Sequence, residues 1–139
     1  MNWVFWSLLS AFFAGLTAIL AKVGVAGVDS NLATAIRTAV IVVFAWAVAL
    51  ATNPGSAVLS LSRRTWIFLT LSGLATGLSW LCYFRALQLG DASKVAPVDK
   101  LSVVFVILLA AVFLGESLNL KTVVGGSLIA AGAVVLALK

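Results

Sequence analysis

Apolar residues fill this chain in long runs broken by short polar stretches, and the runs are continuous where a barrel wall would need alternation. Five such runs stand at about residues 3–21, 32–51, 66–87, 95–114 and 122–138. Each approaches the roughly 20 apolar residues that carry a helix across a bilayer. The connections are short, so almost no chain is left for a soluble domain. The pattern predicts an all-α integral membrane protein, one domain over residues 1–139, built as a bundle of five transmembrane helices. The first run reads as a span and not as a cleavable signal, because no basic residue precedes it, it exceeds a usual apolar signal core, and more spans follow.

Polar punctuation places the turns. Gly24, Gly27, Asp29 and Ser30 separate the first two spans, with Ser30 or Asn31 expected to cap the second. Asn53-Pro54-Gly55-Ser56 is a turn signal, and the apolar piece at 57–61 is too short to cross and is expected along the surface. Gly90 is the expected stop of the third helix and Ser93 the expected cap of the fourth. Pro97 then removes a backbone donor inside the first turns of the fourth helix and should loosen or bend it.

Small and hydroxylated residues recur at helical spacing. Ser7, Ser10, Ala14, Thr17 and Ala21 make one stripe, and Gly126, Ala130, Ala133 and Ala137 make another. Such stripes suit close helix packing, within the unit or against a second one, and less often line a water-filled path. In the third span Ser72, Thr76, Ser79 and Tyr83 share a face, beside Gly73, Gly77, Trp80 and Phe84. Trp80 and Tyr83 fall past the midplane, deeper than interfacial aromatics, where they either pack or wall a solute pocket.

Composition confirms the class: 63% of residues are hydrophobic and 9% charged, against about 25% charged in soluble domains. The net charge of +5 would suggest nucleic acid in a soluble chain, but the basic residues sit at helix ends, where they anchor to lipid headgroups. Cys82 is the one cysteine and there is no histidine. No intrachain disulfide, metal ligand cluster or histidine-activated nucleophile is available, so no enzyme activity, metal or cofactor is expected. Any proton coupling would fall to Asp or Glu. An odd number of spans puts the chain ends on opposite faces. Arg63, Arg64 and Lys121 lie on the N-terminal face; Lys22, Arg37, Arg85, Lys94 and Lys139 lie on the other, a weak positive-inside bias compatible with insertion in both senses. Two such units in opposite senses make an inverted pair, with a solute site between them.

Four charges stand within spans or at their margins: Arg37, Arg85, Asp99 and Lys100. Facing lipid at depth, each would cost roughly 3 kcal/mol or more. Asp99 and Ser102 share a face while Lys100 points about 100° away, so the adjacent pair is not expected to bridge. Arg37 or Arg85 is the expected partner of Asp99, and the headgroups that of Lys100. Asp99 is the candidate coupling or substrate-amine carboxylate, Arg37 and Arg85 its counterions or anion anchors, Trp80 with Tyr83 the pocket wall, and Ser102 a neighbour on the Asp99 face.

Tyr83-Phe84-Arg85-Ala86-Leu87-Gln88-Leu89-Gly90, Ala96-Pro97-Val98, Phe113-Leu114-Gly115-Glu116 and Gly125-Gly126-Ser127-Leu128-Ile129-Ala130-Ala131-Gly132 resemble the repeat unit of EamA-type transporters in the drug/metabolite transporter superfamily. The resemblance covers essentially the whole chain. Usual members carry ten helices in two tandem units forming an inverted repeat, and this chain is similar to one unit. The resemblance therefore implies a secondary transporter of a small organic solute, such as a metabolite, amino acid or drug-like compound. It would work by alternating access as an antiparallel homodimer, or as a heterodimer with a related unit, in a prokaryotic inner membrane. Membrane lipid and the solute are then its partners, with no role for nucleic acid. Pro97, Gly115 and Glu116 match the family motif and read as structural, with Lys121 available to pair with Glu116. The reading from another class is a non-transporting membrane subunit whose charges and small faces only assemble a larger complex.

Overall fold

A computed structural model describes residues 2–138, which are helical almost throughout and contain no strand. The helices are α1 (Trp3–Gly24), α2 (Ser30–Thr52), α3 (Arg63–Leu89), α4 (Ala92–Asp99), α5 (Ser102–Leu109) and α6 (Leu120–Ala137). A 3₁₀ helix, Gly55–Ser60, follows α2, and a π-helical turn, Ala110–Leu114, completes α5. Among the described residues five helical segments are long and apolar enough to cross a membrane: α1, α2, α3, the composite Ala92–Leu114, and α6. The protein is thus a multi-pass, five-helix membrane unit. Lys139, counted above with the basic residues of one face, lies outside the described residues.

Most helices overrun the apolar runs by a few residues, because a helix satisfies its own backbone and continues into the interface until a cap ends it. The caps correct the expectations above. Asp29, not Ser30 or Asn31, caps α2, its carboxylate accepting from the N–H groups of Asn31 (2.9 Å) and Leu32 (3.1 Å). Ser93 lies inside α4, whose N-cap is Asp91. Asn119 caps α6 through its side-chain oxygen, 2.9 Å from the N–H of Thr122.

The chain divides into two compact units. The first comprises residues up to Lys22 and from Leu89 onward. Here α6 packs along α4 and α5. Gly126 is the close point, for a Cβ placed on it would lie 2.9 Å from Ile107 Cδ1. Gly126 and Ala133 are buried and Ala130 half-buried, so that stripe serves packing inside the unit; only Ala137 is exposed. On α1 the stripe divides: Ala21 is buried and Thr17 half-buried, while Ser7, Ser10 and Ala14 stay exposed. Lys22 Nζ donates to the carbonyl of Gly90 at 2.8 Å, tying the end of α1 to the turn before α4.

The second unit, Val23–Gln88, has its core where α2 begins and α3 ends. Val25, Ser30, Thr34, Phe84 and Leu87 are buried there. The Thr34 hydroxyl donates to Ser30 O at 2.8 Å, which pairs a polar group that burial would otherwise leave costly. Gln88 Nε2 donates to Val28 O at 2.6 Å and joins the end of α3 to the turn before α2. Elsewhere the apolar side chains of α2 and α3, such as Phe44 and Phe68, are exposed. Water would penalise such surface by about 25 cal/mol per Å², whereas acyl chains cover it at no such cost.

Candidate functional site

The fourth span tightens where the acidic residue stands, its backbone staying right-handed through Lys100 (φ −69°, ψ −6°) and Leu101 (φ −59°, ψ −19°). Lys100 N–H reaches Ala96 O (3.3 Å) and Pro97 O (3.1 Å), Leu101 N–H reaches Val98 O (3.0 Å), and Val103 N–H reaches Lys100 O (3.0 Å). With Val104 N–H on Leu101 O (2.9 Å), four amides thus reach back three residues, Lys100 also keeping its bond four back, and α4 ends at Asp99 before α5 begins at Ser102. Val103 N–H, which would serve Asp99 O in a continuous helix, turns to the next carbonyl. Pro97 contributes upstream, since it cannot donate to Ser93 O. Near the loosening expected at Pro97, the observed change is this 3₁₀ turn, three residues later.

Asp99 and Lys100 pair with each other, Oδ2 to Nζ, at 3.4 Å. This corrects the expectation that their divergent directions would keep them apart. Neighbouring Cα–Cβ directions diverge on a helix, but the flexible lysine stem is long enough to curl back to the adjacent carboxylate. Ser102, expected on the Asp99 face, opens α5 and is exposed.

The second unit holds the arginines and aromatics. The Arg37 guanidinium carbon stands 4.2 Å from the centroid of the Trp80 ring and 5.6 Å from that of Phe84. Trp80 and Phe84 are one turn apart on α3, so both ring faces meet the one cation. Tyr83 is near enough to act on Arg37 electrostatically. Arg85 is held differently: its Nη1 donates to Gln88 Oε1 at 3.0 Å, and Gln88 is itself fastened to Val28 O. Beside it lies an open hollow lined by Asp29, Ser30, Asn31, Leu81, Cys82 and Arg85. Phe84 and Gln88 were not among the sequence candidates. The one-turn spacing of Phe84 from Trp80 is the available signal; for Gln88 the only one is its place in the Tyr83–Gly90 stretch that carries the family resemblance.

The EamA-like transporter family matches residues 1–138. The chain belongs to this family. It is 57% identical over 136 residues to a Sinorhizobium sp protein named "Uncharacterized transporter in cobO 3'region", a match covering 98% of this chain and 96% of that one. No solved structure matches.

The EamA motif at the end of the fourth span has a structural explanation. Gly115 adopts φ +68°, a left-handed conformation that side chains disfavour, and Glu116 N–H then closes back onto Ala110 O at 3.2 Å. Glu116 contributes its backbone to this terminus, and its carboxylate forms no ion pair with Lys121. Among the described residues no cluster of potential metal ligands occurs.

Proposed function

We propose that this EamA-family protein carries a small organic solute across a prokaryotic inner membrane by alternating access, as an assembly of two units in opposite orientation. The single observation that carries the proposal is the 3₁₀ turn within the fourth span, with Asp99 beside it. A 3₁₀ stretch inside a long helix often marks a functional hinge, and in membrane transporters irregular helical turns are a common place for solute sites. Asp99 acts as the coupling or substrate-binding carboxylate, with Lys100 as its ion-pair partner and Ser102 beside it. Within the chain's other compact unit, Arg37 and Arg85 are the candidate positive charges and Trp80 and Tyr83 the candidate aromatic contacts for solute.

The test is reconstitution in liposomes with counterflow of candidate solutes. Asp99→Asn should insert normally and lose at least about tenfold in rate, the equivalent of one charge-assisted contact. An Asp99→Asn protein transporting at the unaltered rate removes Asp99 from the mechanism. Reporter fusions at the C-terminus should signal from both membrane faces, and a single fixed orientation would exclude the antiparallel homodimer.

A further inference from the structure

We infer that Arg37 is an oxyanion anchor, so that the species it binds carries a carboxylate or phosphate group; the transport reading supplies only the context for this site. Arg37 stands seven residues into α2, roughly 10 Å along the axis from its start. It is half-buried and forms no ion pair with any described carboxylate. Two rings from α3 hold it instead, Trp80 at 4.2 Å and the 3%-exposed Phe84 at 5.6 Å. Ring faces attract the positive charge but leave the planar N–H fork without oxygen acceptors. A guanidinium so positioned matches a carboxylate or phosphate in two parallel hydrogen bonds, the strongest pairing open to it.

The other basic groups differ in ways that single out Arg37. Arg85 already has an acceptor in Gln88 Oε1, and Lys100 has Asp99. Arg64 also lies over a ring, Phe68 at 5.8 Å, but it is exposed in the first turn of α3, where anchoring to headgroups accounts for it. Arg37 alone of these combines depth in a span, a fixed aromatic seat and no ion pair. Arg37 as a residue is only partly buried. The oxyanion belongs either to a dissolved organic anion or to a lipid headgroup, and the experiment separates these.

Trp80 is the natural reporter. In a variant with Trp3, Trp6, Trp46 and Trp66 changed to Phe, purified in phosphate-free maltoside detergent, its emission should respond saturably to benzoate, succinate or inorganic phosphate and not to tetramethylammonium. Arg37→Lys should weaken this at least about tenfold through loss of the bidentate fork, and Arg37→Gln should abolish it. Isothermal titration of the natural chain with the same anions gives the equivalent readout if the multiple variant does not fold. In phosphatidylcholine nanodiscs, continued binding of benzoate or succinate identifies a soluble anion, and loss of it identifies the lipid phosphate as occupant. Absence of any Arg37-dependent anion binding in maltoside overturns the inference. Anion binding without solute flux in liposomes would retain the anchor and refute the transporter reading; unaltered flux by Arg37→Gln would do the reverse.

Discussion

Lys100 reaches back to Asp99, Nζ to Oδ2 at 3.4 Å, at the point where the fourth span tightens. The side chains are 56% and 36% exposed, and a pair so open contributes at most about 1 kcal/mol to folding. Lys100→Gln should therefore leave the thermal unfolding midpoint nearly unaltered in detergent. Its effect should appear in the solute dependence of transport, because Asp99 loses the cation that competes with substrate. A large loss of stability would show the pair to be structural.

Pro97 should trade stability for mobility. It lies in the interior of α4, where proline costs up to about 3 kcal/mol relative to alanine. Pro97→Ala restores a donor toward Ser93 O and should raise the unfolding midpoint while slowing transport. A faster transporter with unaltered stability would contradict the role given to the 3₁₀ turn.

Gly115 is required by its backbone. At φ +68° an alanine costs about 1–2 kcal/mol, and asparagine, which tolerates this conformation better, should cost less. Unfolding midpoints should fall in the order Gly, Asn, Ala. Equal midpoints would exclude the left-handed terminus.

Gly126 is required by its neighbour. An added Cβ meets only the terminal Cδ1 of Ile107, which can rotate, so Gly126→Ala should be mild. Gly126→Val should cost about 1–3 kcal/mol by overpacking, and Ile107→Ala in the same chain should recover part of it. The double-mutant cycle measures this coupling, and strictly additive losses would place the contact elsewhere.

Much of the fold was legible because a bilayer demands long apolar helices, and a run such as 32–51 has no other solution. Caps were less so. Asp29, Ser30 and Asn31 are all competent to cap α2, and the choice depends on where the turn releases the chain. In the candidate site, the shared face of Trp80 and Phe84 followed from spacing, but nothing in spacing says that Arg37 from α2 rests on it. Gly73 and Gly77, four residues apart on α3, have the spacing that admits a close neighbour, yet a Cβ on either meets no atom within 4 Å, unlike one at Gly126.

The amino-acid order by itself determined membrane residence, the number of spans and that Pro97 withholds a backbone donor from the fourth. These depend on solvent transfer and on the backbone of single segments, both of which are local in the chain. Tertiary structure alone decided which small residues are buried, that Lys100 is the partner of Asp99, and that Arg85 is tied to Gln88 while Arg37 sits on rings. Partner choice depends on distances of a few ångströms between side chains, and sequence spacing gives direction along one helix but no such distance.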